Sequence, residues 1–162
     1  MPMRAMLLGM LVLVAGCGGS ADETPKATLS DSQCAYSGPH TYTHGVVENI
    51  EAANTTLHFA QFAVYELAPG VTIDDVRGFY ERSRVARERG EEPGHPTYGD
   101  IYRRVIARSV TEPEASSVLP LVGPVGKFVI VCFEDSAVDT RQSSQDSPFP
   151  TAIYVPAEVE IR

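Results

Sequence analysis

Short apolar runs separated by turn signals predict that most of this chain forms β-strands. The longest run, residues 57–67, carries apolar side chains on both alternating faces, which predicts a strand covered on both sides, as in a sandwich of two sheets. Residues 127–133 predict a second buried strand, and residues 45–50 and 158–161 predict two shorter ones. Glycine and proline occur together beside several of these runs, as expected for turns. The pattern therefore favours a mainly β fold.

One segment has helical periodicity instead. Thr72, with two aspartates just after it, predicts an N-cap with acidic residues in the first turn, and Gly90 is a suitable stop. Apolar side chains recur on one helical face: Ile73, Val76 and Tyr80. We therefore expect one inserted helix around residues 73–89.

Two further segments complete the folded part. Residues 101–110 fit either a strand or a helix, and we interpret them as a strand. Residues 134–150 are rich in serine, aspartate and glutamine, which predicts a long surface loop. The sequence shows no internal repeat, so we expect one domain of ordinary size.

The first residues have the pattern of an export signal. A single charge, Arg4, precedes about ten apolar residues, a run too short to span a membrane. The run ends in a sequence that resembles the lipobox of bacterial lipoproteins: Val14, Ala15, Gly16 and Cys17. In that family a peptidase cleaves before the cysteine, whose sulfur carries a diacylglyceryl group, so the resemblance implies lipidation of Cys17. The alternative is an ordinary secretory leader that happens to contain a cysteine.

These features divide the chain into three parts. We expect residues 1–16 to be a signal peptide. Residues 17–31 are polar and rich in turn-forming residues, so we expect a lipidated N-terminus followed by a flexible tether. Residues 32–162 then form the β-sandwich domain. Because two acyl chains suffice for stable anchoring, we expect the exported protein at the extracytoplasmic face of the inner or the outer membrane.

Charge narrows the class of partner. The chain holds 13 Lys and Arg against 21 Asp and Glu, a net charge of −8, and loss of Arg4 with the leader leaves 12 against 21, or −9. Nucleic-acid binding needs a surplus of positive charge, so we expect no nucleic-acid partner. A hydrophobic fraction of 43% and a charged fraction of 21% are typical of a folded domain.

Two cysteines remain besides Cys17, namely Cys34 and Cys132. An exported compartment permits disulfides, so we expect these two thiols to pair and to join the first strand of the domain to the sheet. In the chain-entropy model, closing a loop of about 100 residues contributes about 4–5 kcal/mol to stability. The alternative is two buried free thiols.

A series of short motifs between residues 34 and 161 resembles the cupredoxin-like exported lipoproteins of bacteria. The motifs that carry the resemblance, in chain order, are Cys34-Ala35-Tyr36-Ser37-Gly38-Pro39, Gly45, Asn49, the run 57–67, Pro69-Gly70 and the run Gly126 to Cys132. The resemblance implies a Greek-key β-sandwich with one helical excursion.

The copper site of that family is incomplete in this sequence. Copper cupredoxins hold the metal with two histidines, a cysteine thiolate and a weak axial methionine. The resemblance matches His58 to the first histidine and Cys132 to the thiolate, but Phe149 and Tyr154 stand about where the other two ligands would fall. No histidine follows His95, and no methionine follows the leader. We therefore predict no metal and no cofactor.

The histidines offer a second candidate metal site. His40 and His44 are four residues apart, but flanking proline and glycine favour a loop or strand, in which the two would lie about 13 Å apart. His95 follows two glutamates, Glu91 and Glu92, so a weak metal contact is the alternative there. We interpret these histidines as surface residues.

Arginines are dense in and after the predicted helix. A basic patch that meets anionic lipid headgroups or an acidic partner would comprise Arg77, Arg84, Arg87, Arg104 and Arg108. The alternative is a solvated helix face that nearby glutamates neutralise.

No residue pattern amounts to an active site. The chain has no Gly-x-Ser-x-Gly elbow, and the segment 123–127 lacks the length and hydroxyl of a phosphate loop. We therefore expect a membrane-tethered, non-catalytic binding or scaffolding module of the cell envelope, with a protein, peptide, lipid or glycan partner. The alternatives are an enzyme or accessory factor with a site built from loops, or a metal or redox carrier.

Overall fold

The computed structural model describes residues 24–135 and 152–162. The predicted signal peptide, Cys17, Phe149 and most of the predicted loop at 134–150 lie outside the described residues. In the described part, nine strands and two helices follow in this order: β1 Lys26–Ser30, β2 Gln33–Ser37, β3 Thr41–Tyr42, β4 Glu48–Asn54, β5 Phe59–Leu67, α1 Ile73–Glu88, α2 Tyr98–Ile101, β6 Tyr102–Thr111, β7 Ala115–Leu121, β8 Gly126–Asp135 and β9 Ala152–Ile161.

The strands form two sheets packed face to face. Sheet A has the order β2-β1-β4-β7, and sheet B has the order β3-β9-β8-β5-β6. The pairs β1–β4 and β3–β9 are parallel, and the other neighbours are antiparallel. The chain passes repeatedly from one sheet to the other, so the predicted Greek-key sandwich with an inserted helix is confirmed. Neither helix in residues 24–135 is long and apolar enough to cross a bilayer.

Strand β5 shows why the sheet B strands are so apolar. Phe62 and Val64 are fully buried between the two sheets, whereas Ala63 and Tyr65 are buried on the opposite face, beneath α1. The prediction that both faces are covered is confirmed, but a helix and not a third sheet covers the outer one. Leu57, predicted to lie in this strand, precedes it and is 76% exposed.

Helix α1 starts and stops where its sequence predicts. The Thr72 hydroxyl accepts a hydrogen bond from the Asp75 backbone at 3.3 Å, and the Asp75 carboxylate accepts one from the Thr72 backbone at 2.9 Å, which forms a capping box. Val76 is fully buried against sheet B. The chain leaves the helix at Gly90, whose φ of 69° favours glycine.

The predicted boundaries fail at the start of the domain. Residues 26–30 were expected in the flexible tether but form β1, which is hydrogen-bonded on both sides, to β2 and to β4. Its alternating Ala27 and Leu29 are fully buried, so sheet A begins six residues before the predicted start at residue 32. The strand predicted at 45–50 is displaced as well, since β4 begins at Glu48.

Candidate functional site

Three of the predicted patch arginines line one cleft, between α1 and the first half of β9. Arg77, Arg84 and Arg87 are separated by seven and three residues, a spacing that aligns them along one face of a helix. The cleft has a volume of about 170 Å³. Its other lining residues are Tyr80, Glu81, Ala152, Ile153 and Val155.

Arg77 joins the helix to the sheet. Its Nε and Nη2 donate to the Val155 carbonyl oxygen at 3.3 and 3.1 Å, and its Nη1 donates to Asp74 at 3.2 Å. Val155 belongs to β9, a strand of sheet B, so these bonds hold α1 against the sheet. Arg77 therefore shapes the wall of the cleft.

Arg84 lies between two carboxylates of its own helix. It binds Glu81 through two bonds of 2.9 and 2.7 Å and also contacts Glu88. The Arg84 guanidinium lowers the pKa of the exposed Glu81 carboxyl. A second ligand therefore has to approach Arg84 from the side that faces solvent. A cleft of this size suits one carboxylate or similar small anionic group, since pockets for drug-sized ligands measure about 300–1,000 Å³.

The other two patch arginines lie on β6, outside the lining of the cleft. Arg104 pairs with Glu66, whose side chain is 4% exposed, and Arg103 binds the same carboxylate at 3.2 Å. Arg108 donates to Gln61. The structure thus brings three of the five arginines together and holds the other two against β5.

Four tyrosines pack together on the outer face of sheet B: Tyr65, Tyr80, Tyr98 and Tyr102. The rings of Tyr65 and Tyr102 stack at 4.6 Å, and the Tyr102 hydroxyl donates to the Tyr80 hydroxyl at 3.1 Å. Burial raises the pKa of all four phenols above the ordinary value of 10.0, so the hydroxyls stay neutral. The sequence predicts a face for two of them, Tyr65 in the strand at 57–67 and Tyr80 in the helix. The others stand in or next to apolar runs, and nothing in their spacing indicates a cluster.

The predicted disulfide between Cys34 and Cys132 is confirmed, with a sulfur–sulfur distance of 2.07 Å and an α-carbon separation of 6.4 Å. Cys34 lies on β2 in sheet A, and the fully buried Cys132 lies on β8 in sheet B. The bond therefore connects the two sheets through the core. It was expected to tie the first strand of the domain, but that strand is β1 and the bond starts from the second.

The copper ligands that the resemblance implies do not fit this structure. The Cys132 sulfur is bonded to Cys34, so it is not a free thiolate. Tyr154 stands beside Cys132 in the β8–β9 register, and its phenol is not one of the soft ligands of a blue-copper site. His58 lies in an exposed turn before β5.

The remaining histidines lie at separate places. His40 Nδ1 is 2.8 Å from the Glu158 carbonyl oxygen, the exposed His44 follows β3, and His95 Nδ1 is 3.5 Å from Asp100. Within residues 24–135 and 152–162, no three His, Cys, Asp or Glu side chains converge as metal ligands would.

No family model and no curated protein matches the chain. Among solved structures, the chain is similar to dithionite-reduced auracyanin from the photosynthetic bacterium Roseiflexus castenholzii, with 19% identity and a TM-score of 0.36 over 66% of this chain and 81% of that one. It is also similar to auracyanin B, with 9% identity and a TM-score of 0.41 over 88% and 93%. TM-scores below 0.5 are too low for either likeness to transfer a ligand or a function to this chain.

Proposed function

We propose that this protein is an exported lipoprotein, anchored through Cys17, whose sandwich domain is a non-catalytic binding module of the cell envelope. One observation carries the location. The disulfide between Cys34 and Cys132 crosses the core, and structural disulfides form and persist in oxidising compartments outside the cytosol. The short apolar leader that ends in a small-small-cysteine sequence supports the anchor.

The cleft lined by Arg77, Arg84 and Arg87 is the surface best suited to a partner. Its lining combines three guanidinium groups and one carboxylate, Glu81, with the apolar Ile153 and Val155, and such a surplus of guanidinium groups favours a carboxylate and the carbon chain next to it. The whole chain is acidic, so a locally basic cleft is selective for an anionic group. We infer that the partner is an envelope protein or peptide that inserts an acidic side chain.

Cross-linking in intact cells tests this function. The native lipoprotein is compared with the double variant Arg84→Glu/Arg87→Glu and with Arg82→Glu, a matched control on the same helix that does not line the cleft. We expect recovery of the cross-linked partner to fall about tenfold in the double variant and to stay unchanged in the control. Equal recovery of every partner from all three proteins would contradict the role of the cleft.

A further inference from the structure

The chain enters the domain at one end of the sandwich. Strand β1 runs parallel to β4, and its first residue, Lys26, pairs with Glu51, three residues after β4 begins at Glu48, so the chain enters sheet A from the end where β4 begins. The Pro25 carbonyl oxygen accepts a bond from the Glu51 backbone at 2.8 Å, which fixes the point where the chain enters the domain. We call this end, with the loops at residues 43–47 and 122–125, the anchor end.

Four exposed valines lie in the two loops of the anchor end. Val46, Val47, Val122 and Val125 are 46%, 60%, 47% and 64% exposed, and together they are the valine cluster. Glu48 at the start of β4 pairs with Leu121 at the end of β7. The loop that precedes β4 and the loop that follows β7, which carry these valines, therefore lie next to each other. Single exposed apolar residues are ordinary, but a group from two loops at one end marks an interaction surface.

The second loop is held firmly by the core. A side chain at Gly123 would come within 3.2 Å of the Phe128 ring and 3.5 Å of Ile161, so the backbone lies close against both. This contact keeps the middle of the loop on the core, while Val122 and Val125 on either side stay exposed. The valine cluster is therefore a built surface.

Three ion pairs lie near the valine cluster, and the carboxylate of Glu48 lies next to Val47. Lys26 binds Glu51 at 3.1 Å, Lys127 binds Glu158 at 2.8 Å, and Arg162 binds Glu160 at 2.7 Å. The surface thus has no surplus of positive charge, and the net charge of −8 on the chain disfavours anionic headgroups. A zwitterionic bilayer is the lipid surface that such a cluster suits.

The length of chain before the domain brings this surface to a membrane. Eight peptide steps separate Cys17 from Pro25, and a fully extended chain spans at most about 3.6 Å per residue, or about 29 Å in total. Acyl chains on Cys17 therefore hold the anchor end near the bilayer.

We propose that the valine cluster of Val46, Val47, Val122 and Val125 inserts into the interface of a zwitterionic bilayer, so that the domain stands on the membrane on its anchor end. This inference rests on the proposed lipid anchor. In this orientation the cleft points away from the membrane, because β9 begins at the opposite end, where Ala152 pairs with Glu134. The arginines of the cleft then face a partner in solution and not lipid headgroups.

Tryptophan fluorescence tests the orientation directly, because the chain contains no tryptophan. The full-length lipidated protein is prepared as Val125→Trp and as Val46→Trp, with Leu57→Trp as the matched control. Leu57 is 76% exposed and lies in the β4–β5 turn at the opposite end. Each variant is bound to phosphatidylcholine vesicles that contain brominated lipid. We expect blue-shifted emission and loss of about half the intensity at positions 125 and 46, and neither change at position 57, since interfacial insertion reaches about 5–10 Å into the headgroup boundary.

Flotation of the vesicles separates the two claims. If the protein fails to float with the vesicles, the proposed anchor fails, and the docking falls with it. If the protein floats but positions 125 and 46 emit like position 57, the docking is overturned while the anchor stands. Equal quenching at all three positions also overturns the docking, because the domain then does not stand on one end. In Val122→Ser/Val125→Ser, we expect the quenching at Val46→Trp to be lost.

Discussion

The two ends of the sandwich are held in different ways. At the far end, where β4 turns into β5 and β6 into β7, buried polar groups and the disulfide fix the loops. The disulfide and the buried Asn54 lie close together, because Leu29 pairs with Cys34 on one side and with Asn54 on the other. At the anchor end, the loops expose valines and surround them with paired charges. We therefore expect substitutions at the far end to cost more stability than substitutions of the exposed valines at the anchor end.

Asn54 is the centre of the far end. Its side chain is 1% exposed, and its Nδ2 donates to the carbonyl oxygens of His58, Thr111 and Glu112 at 2.7, 3.3 and 2.9 Å. Its Oδ1 accepts from the Thr56 backbone and hydroxyl at 3.1 and 2.9 Å. One amide therefore holds together two loops that are 57 residues apart in sequence.

Removal of the disulfide should have the largest effect on stability. The double variant Cys34→Ser/Cys132→Ser loses a bridge between residues 98 positions apart, and we expect the free energy of unfolding to fall by about 4–5 kcal/mol in the chain-entropy model. Denaturant unfolding measures the loss, with Ala35→Ser, at an exposed position of the same strand, as the control for serine substitution. A loss no greater than that of the control would contradict the cross-link.

Removal of the Asn54 amide should have the second-largest effect on stability. Asn54→Ala leaves several buried donors and acceptors without a partner, and we expect a loss of about 3 kcal/mol in the free energy of unfolding. Asn49→Ala is a close control, because Asn49 lies on the same strand but is exposed, near the anchor end. We expect it to change the free energy by less than about 0.5 kcal/mol. Equal losses in the two variants would contradict the claim that the far end contributes more to stability than the anchor end.

The helix cap should have a smaller effect that depends on pH. Bonds from the Thr72 hydroxyl and backbone lower the pKa of the Asp75 carboxyl below its ordinary 3.8. The stabilisation is therefore fully present above the ordinary pKa and is lost as the pH falls through the lowered one. Thr72→Ala should lose about 1 kcal/mol at neutral pH.

Comparison of wild type with Asp75→Asn isolates the contribution of the Asp75 charge to stability. We expect wild type to exceed this variant in stability at pH 7 and the difference to vanish in strong acid. A difference that does not change between pH 7 and pH 2 would exclude the carboxylate as the source.

Substitution of the valine cluster should have the smallest effect on stability. The variant replaces all four valines by serine: Val46, Val47, Val122 and Val125. Because these side chains are about half exposed or more, we expect each substitution to contribute less than about 0.5 kcal/mol to the change in the free energy of unfolding. Thermal unfolding in detergent-free buffer and on vesicles measures the effect. A large loss in the absence of lipid would show that the cluster serves folding and not an interface.

Strong local patterns were sufficient to predict much of the fold. Strands β5 and β8 and helix α1 follow from long apolar runs and from a clear N-cap. Strand β1 was missed because only two of its five residues, Ala27 and Leu29, are buried, and pairing with β2 and β4 stabilises it. Strand β7 was missed because Pro120 interrupts it, which an edge strand tolerates.

The candidate sites were less predictable, because they depend on register. The pairing of Cys34 with Cys132 follows from their number and the expected compartment. Only the β4–β7 pairing brings the loop that carries Val47 next to the loop that carries Val122. Asn54 stands in an Asn-Thr-Thr sequence that suggests a glycosylation site, and only the structure shows its amide buried among carbonyl groups.

The intact mass of the mature protein, purified from membranes, tests the central claim most directly. We predict a polypeptide that begins at Cys17 and carries a diacylglyceryl group on its sulfur, whereas Cys17→Ser remains uncleaved. A mature chain that begins at any other residue, or that begins at Cys17 without an acyl group, would contradict the lipid anchor.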